Sequence, residues 1–190
     1  MDHKLMAQAA EAASAVAARV SPDQYDRPTP CPGWDVRALA NHLTHWSAVI
    51  SERRARKEAP LESEDENTDY TGGDWPAFFA ARVERAVAAW GEPGAWDGEI
   101  TLVQNPMPAQ TIGTMLFAEL VMHGWDLAAA TGQDFTVAPE VADAALRAIG
   151  GMAEMGREWG AFGPEVVVPA DAPTLDKALA LSGRDPGWRP

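Results

Sequence analysis

Two side chains with metal-binding chemistry occur in one apolar segment of this sequence. The stretch FAELVMHGWDLAAATG, residues 117–132, places Glu119 and His123 four residues apart. Side chains at that spacing are neighbours on one face of a helix, and this face otherwise carries apolar residues. A buried carboxylate is unfavourable by on the order of several kcal/mol unless it is paired or binds a metal. The segment therefore predicts a partner for Glu119.

A third candidate, His42, falls on the apolar stripe of an earlier helical segment, one turn from Leu39 and Trp46. Two imidazoles and one carboxylate form the kind of set that zinc sites with an open coordination position use. Such a site lowers the pKa of a bound water or thiol and polarises a carbonyl, so thiol addition and hydrolysis both fit it. The alternative without a metal is that Glu119 accepts a hydrogen bond from His123 or a tryptophan, or lies at the edge of the bundle.

Three neighbouring residues have structural interpretations first. His45 lies at the flank of the His42 stripe; it could be a fourth metal ligand or orient one, but a half-exposed histidine is the favoured interpretation. Cys31 lies in a Pro-rich turn, where a small buried thiol is favoured over a metal ligand. Asp126 lies about 60° around the helix from His123. It either orients that histidine or caps the Pro-rich turn.

The elements that would position these residues are mostly helices. A strand is expected at 99–103, and Thr111 is expected to be the N-cap of the helix that follows it. Helices of this number and amphipathic character are typical of a bundle with inward-facing functional side chains. The apolar spacing predicts helices over the following ranges: 3–20, 35–57, 75–90, 111–131 and 139–159, with a shorter helix at 174–182.

Composition narrows the class of function. The chain has 190 residues, of which 46% are hydrophobic, and a formal net charge of -13. So acidic a protein is not expected to bind nucleic acid or an anionic membrane, which favours a small-molecule substrate. A single cysteine rules out an internal disulfide, and we find neither a signal peptide nor an apolar run long enough to span a bilayer. We therefore expect a cytoplasmic protein.

Two segments carry a resemblance to a known family. TPCPGWDVRALANHLTH, residues 29–45, and AELVMHGWDLAAATGQ, residues 118–133, resemble the signature segments of the mycothiol-dependent maleylpyruvate isomerase-like family. That family belongs to the DinB-like superfamily of metal-binding four-helix bundles. The segment LDKALALSGRDPGW, residues 175–188, is similar to the closing region of the family.

The resemblance implies an all-α fold. We expect a DinB-like four-helix bundle with an additional C-terminal helix and tail, and a short strand or hairpin near 95–110. The metal-binding bundle would occupy residues 1–160, and the tail, 161–190, would pack on the same domain.

The resemblance also implies a function. It assigns one divalent metal ion, zinc or nickel, to His42, Glu119 and His123, and a low-molecular-weight thiol such as mycothiol as a cosubstrate. The implied enzyme is a thiol S-transferase or is isomerase-like. The sequence is rich in Ala and has more Arg than Lys, which suits an actinobacterial genome, and such bacteria make mycothiol.

One departure limits the resemblance. The isomerase carries a further C-terminal domain that contributes to its active site, whereas about 30 residues follow the last long helix here. We therefore do not infer the isomerase's own reaction for this protein. Arg184 is the candidate catalytic residue and would meet a substrate carboxylate, although a surface arginine in a loose tail is the favoured interpretation. A non-catalytic bundle that binds a small molecule or a partner, with a structural or vacant metal site, is the alternative function. A homodimer stays open.

Overall fold

The computed structural model describes residues 2–59, 65, 67–101 and 105–190. Within these ranges the secondary structure is helical apart from one antiparallel hairpin, formed by β1 (Glu99–Thr101) and β2 (Pro106–Pro108). The predicted all-α bundle with a short hairpin is confirmed. The helices are α1 (His3–Ala17), α2 (Val36–Thr44), α3 (Ser51–Ala55), α4 (Trp75–Trp90), α5 (Ala109–Thr131), α6 (Pro139–Glu158) and α7 (Thr174–Leu181), with a π-helical segment (His45–Ile50) between α2 and α3.

Helix α5 lies at the centre of the bundle. It is apolar on all sides and buried along most of its length, as expected for a helix that other helices surround. It packs against α1, α2 and α6, and α1 also packs against α4. Small residues on α1, such as Ala13, allow the close approach: a methyl group on Gly124 of α5 would lie 3.3 Å from the Ala13 side chain. The central position of α5 places its polar side chains among several elements.

The predicted helix over 35–57 contains a feature that the periodicity did not indicate. Asp35 caps α2, but the α-helical pattern gives way to π-helix from His45 to Ile50 before α3 ends at Ala55. A π-helical turn holds more residues than an α-helical one, so it changes which side chains face inward. His45 is consequently buried, at 3% exposure, with its Nδ1 3.3 Å from the hydroxyl of Tyr70. The expectation of a half-exposed His45 is wrong.

Helix α5 begins earlier than predicted. Strand β2 leads directly into it at Ala109, whose N–H donates to the carbonyl oxygen of Gly98 (2.8 Å). Thr111 therefore lies inside the first turn, and its expected role as N-cap is wrong. Strand β1 ends at Thr101, and the remainder of the predicted strand, 102–103, lies outside the described residues. Helix α1 ends at Ala17, three residues short of the prediction.

The segment after α6 folds back along the bundle. Helix α7 packs on α6, and the guanidinium of Arg157 donates to the carbonyl oxygen of Leu181 (3.0 Å). The N–H of Val166 donates to the carbonyl oxygen of Ala180 (2.9 Å). These bonds hold the C-terminal segment against the helices. Among the described residues, none of the helices combines the length and apolarity that a membrane crossing requires.

Candidate metal centre

The loop before α2 is fixed by short-range hydrogen bonds. The Thr29 hydroxyl accepts the N–H of Cys31 (3.1 Å) and donates to the carbonyl oxygen of Trp34 (2.9 Å). Gly33 has a left-handed φ of 81°, a conformation that suits glycine and lets the chain turn back. Asp35 then caps the first turn of α2. The loop thereby presents the thiol of Cys31 and the indole of Trp34 to α5.

Helices α2 and α5 bring the three predicted metal ligands together. Nε2 of His42 lies 3.0 Å from Oε2 of Glu119, and Nε2 of His123 lies 3.2 Å from the same oxygen. The three donor atoms all lie within 4.8 Å of one another. Glu119 and His123 share one face of α5, and His42 reaches them because α2 packs on that face. We refer to these three residues as the donor triad.

The donor triad lies at the boundary between the core and solvent. The side chains of His42 and Glu119 are each 26% exposed, and that of His123 is 8% exposed. The indole of Trp34 packs beside both imidazoles, with ring centroids 4.6 Å from His42 and 6.0 Å from His123. The donors are therefore shielded on one side and accessible on another.

A buried ion pair lies behind the donor triad. Nδ1 of His123, the nitrogen that faces away from Glu119, lies 2.8 Å from Oδ2 of Asp126. The guanidinium of Arg184 donates to both carboxylate oxygens of Asp126, from Nε to Oδ1 (2.8 Å) and from Nη2 to Oδ2 (2.8 Å). Asp126 is fully buried, so this pair supplies the charge compensation that a buried carboxylate requires. Asp126 thus links α5 to the C-terminal segment.

These contacts shift the pKa values of the acidic and basic groups. Burial raises the pKa of Glu119, but the charge of His123 and hydrogen bonds from His123 and His42 outweigh burial and hold that pKa well below its ordinary range. Burial lowers the pKa of His123, but the charge of Glu119 and the hydrogen bond to Asp126 raise it well above its ordinary value. Burial raises the pKa of Asp126, but the charge of Arg184 and the hydrogen bonds from His123 and Arg184 together outweigh burial and lower that pKa to about 2. Both carboxylates are therefore ionised at neutral pH.

The thiol of Cys31 lies beside the same histidine. Its Sγ is 3.1 Å from Oδ2 of Asp126 and 3.8 Å from Nδ1 of His123, and these three residues form a second group able to hold a metal. Nη2 of Arg184 already occupies the neighbourhood of that oxygen, so a cation there would be repelled by the guanidinium. The donor triad is therefore the better candidate for a metal.

A cavity of about 450 Å³ borders the donor triad. Its other walls are the loop around Cys31 and two C-terminal segments, 160–163 and 182–184. These segments cross at two glycines: a methyl group on Gly183, whose φ is 88°, would lie 2.6 Å from Cα of Gly163. Only glycine fits so close a crossing in that conformation. The crossing delivers the residue that follows it, Arg184, to the cavity wall.

The C-terminal segment contributes more to the site than the sequence indicated. Arg184 is only 9% exposed, so the favoured interpretation of it as a surface arginine is wrong. Its contact with a substrate carboxylate stays a prediction. Sequence reasoning also missed 160–163 and 182–183 as cavity walls, because neither has a helical period or a ligand-type side chain. Gly163 and Gly183 are the sequence features that could have indicated this crossing, since glycine often occurs where two backbone segments approach closely.

The fold and the site together define a helical-bundle protein that carries two histidines and one carboxylate at the wall of a cavity. The sequence profile of the family described as "Mycothiol maleylpyruvate isomerase N-terminal domain" matches residues 6–128. The chain belongs to this family, as its two signature segments predicted.

Comparison with other proteins finds two sequence relatives and a shared fold. Two uncharacterised proteins of Mycobacterium tuberculosis, from strains CDC 1551 / Oshkosh and ATCC 25618 / H37Rv, are each 29% identical over 187 residues, covering 93% of this chain and 94% of their own. A crystal structure of the mycothiol-dependent maleylpyruvate isomerase shares the fold, with a TM-score of 0.60 and 18% identity over 90% of this chain and 76% of that one. A histidine-to-alanine mutant of that isomerase superposes with a TM-score of 0.57.

Proposed function

We propose that the protein is a divalent-metal-dependent enzyme that uses a low-molecular-weight thiol, such as mycothiol, in a transferase or isomerase-like reaction on a small electrophilic substrate. The observation that carries the proposal is the donor triad at the wall of a cavity, with Asp126 on the outer nitrogen of His123. The family assignment supports the thiol, because the family is described by its mycothiol isomerase.

The donor triad fits zinc or nickel by its chemistry and spacing. Neighbouring ligands around a tetrahedral zinc lie about 3.3 Å apart when each is about 2.0–2.1 Å from the ion. The nitrogen-to-oxygen distances from Glu119 to His42 and to His123 are 3.0 Å and 3.2 Å. Metal-ligating histidines commonly pair their second ring nitrogen with a carboxylate, as His123 does with Asp126. The residues present therefore suit one divalent ion.

The rest of the cavity suits a small substrate. A divalent ion held by the donor triad would lower the pKa of a thiol bound in the cavity and polarise a substrate carbonyl. Trp34, Met122 and Phe162 line the cavity with apolar surface, which excludes water from a carbon skeleton. The charges of Asp126 and Arg184 cancel, so this pair adds no net charge beside the cavity. The net charge of -13 and single cysteine fit a cytoplasmic protein with a small-molecule substrate.

Metal analysis is the first test. We expect purified protein to bind one equivalent of zinc or nickel, and a His42→Ala variant to lose that binding while its circular dichroism spectrum is unchanged. His3 lies at the start of α1 and is exposed, so His3→Ala is the matched control and should bind as the wild type does. A folded wild-type protein that binds neither metal would contradict the proposal.

A thiol-conjugation screen tests the reaction. Mycothiol or a cysteine-based analogue is offered with maleimides, epoxides and conjugated ketoacids, with and without a chelator. We expect turnover or isomerisation that the chelator removes and that zinc or nickel restores. Metal binding without any thiol-dependent reaction would favour the non-catalytic bundle with a structural metal.

A further inference from the structure

Arg184 has a guanidinium that is already fully engaged by the protein. Of its five N–H groups, Nε and Nη2 donate to the carboxylate of Asp126. Nη1 faces the hydroxyl of Ser182 at 3.1 Å and the sulfur of Met122 at 3.7 Å, and Nη2 also faces the sulfur of Cys31 at 3.8 Å. A substrate carboxylate would have to displace one of these partners. The arrangement suits a residue that positions other groups.

The group that Arg184 holds is the one that faces His123. Arg184 contacts both oxygens of Asp126, and this two-point contact fixes the plane of the carboxylate. Oδ2 of Asp126 is then directed at Nδ1 of His123, at 2.8 Å. This contact fixes the orientation of the His123 ring, in which Nε2 faces Glu119 and the proposed metal position.

We infer that Arg184 is a positioning residue: through Asp126 it fixes the ring of His123, so that the affinity of the donor triad for its metal depends on the C-terminal segment. This inference rests on the proposed metal site. It assigns Arg184 a role other than direct contact with substrate. The crossing of Gly163 and Gly183 is the backbone feature that delivers Arg184 to α5.

Zinc competition titrations against a chromophoric chelator test the inference. We expect Arg184→Met to bind zinc at least tenfold more weakly than the wild type, as losses of this kind typically do. Arg184→Lys keeps the charge but loses the two-point contact, and should bind at an intermediate strength. Arg157→Met is the matched control, because Arg157 holds the same C-terminal segment through the carbonyl oxygen of Leu181 and does not touch Asp126. It should bind within about twofold of the wild type.

A double-variant cycle shows whether Arg184 acts through Asp126. If it does, Asp126→Ala with Arg184→Met should bind zinc no more weakly than Asp126→Ala alone. Fully additive losses would overturn the inference, as would an Arg184→Met protein that binds zinc like the wild type. If Arg184→Met does not fold, Arg184→Lys decides by the same criterion.

A measurement on metal-free protein separates this inference from the proposed function. The proton shared by His123 Nδ1 and Asp126 should give a downfield proton NMR signal that Arg157→Met retains and that Arg184→Met shifts or loses. An unchanged signal in Arg184→Met would overturn the inference. Absence of zinc binding by the wild type would overturn the proposed function, and the NMR comparison would still decide the role of Arg184.

Discussion

Two glutamates in different parts of the bundle, Glu52 and Glu119, are compensated in opposite ways. Glu52, at the start of α3, is 4% exposed, and Arg56 and Arg85 donate to it at 2.7 Å and 2.8 Å, with Arg82 at 3.5 Å. Arginine stays protonated at every physiological pH, so this charge compensation is permanent. Glu119 instead meets two histidines beside a cavity. Histidines can lose their protons, so a metal ion can replace those protons as the compensating charge.

The two clusters therefore show how one residue type serves stability in one place and chemistry in another. Both glutamates have a pKa below the ordinary range. For Glu52 the hydrogen bond and charge of Arg85 and the charge of Arg82 overcome burial, whereas for Glu119 it is the histidines that do so. A lowered pKa alone does not distinguish the two. The nature of the partner and the neighbouring cavity do.

The largest expected effect is on metal binding at Glu119. Glu119→Ala should weaken zinc binding by at least a thousandfold, because it removes the only anionic ligand of the donor triad. The metal-free variant should melt only slightly below the metal-free wild type at neutral pH, because the ionised carboxylate and His123 stabilise each other but removing the carboxylate also removes its desolvation cost. Calorimetry on chelator-treated samples compares the melting temperatures of the two metal-free proteins, and a chelator competition titration measures the zinc affinity. A large loss of metal-free stability would make Glu119 a structural residue like Glu52.

The corresponding substitution at Glu52 should affect stability and leave metal binding unchanged. Glu52→Gln removes the charge that three arginines share, and we expect the free energy of unfolding to fall by about 1–3 kcal/mol. The loss is moderate because Arg56 and Arg85 are partly exposed and can be solvated again. Zinc affinity should stay within twofold of the wild type. Urea titrations measure the free energy of unfolding, and the chelator competition assay measures the zinc affinity. Weakened zinc binding would show that the Glu52 cluster and the donor triad are coupled.

Lowering the pH should reversibly remove the stabilisation that Glu52 contributes. The pKa of Glu52 is lower in the folded protein than in the unfolded chain, so its stabilisation is present above the unfolded value, about 4.3, and is lost as the pH falls through the folded value. The difference in unfolding free energy between wild type and Glu52→Gln should therefore be largest at pH 7 and narrow below about pH 4. Urea titrations at several pH values measure it. A difference that stays constant down to the lowest pH would argue against the pairing.

The smallest effect is expected at Cys31. Cys31→Ser replaces the thiol with a hydroxyl that can also donate to Asp126, and it removes the sulfur of the second candidate donor group. We expect zinc affinity within about threefold of the wild type, because the donor triad does not include the thiol. Competition titration of the two proteins decides between the donor groups. A loss of a hundredfold or more would assign the metal to Cys31, His123 and Asp126.

Part of the site was predictable because its spacing is local. Glu119 and His123 belong to one helix, where a separation of four residues fixes a shared face. His42 was placed on an inward face by the apolar stripe of α2. The helical bundle followed from the same periodicity. These features depend on one element at a time.

The remainder depends on how distant segments meet. Arg184 lies 58 residues after Asp126 and reaches it only because the chain crosses itself at Gly163 and Gly183. No period in the sequence encodes that path. The sequence predicts a half-exposed His45 because its periodicity indicates a regular helix, whereas the backbone there is π-helical. Both errors concern departures from regular geometry.

The π-helical segment makes the position of Glu52 sensitive to the length of the chain before it. A π-helical turn holds more residues than an α-helical one, so removing one residue between 45 and 50 would return this stretch to the α-helical pattern. Helix α3, which continues from this segment, would then rotate by about 100° relative to His42. Glu52 would leave its arginines while the donor triad stayed in place. A one-residue deletion in this stretch would therefore disrupt the Glu52 cluster without changing any of its side chains.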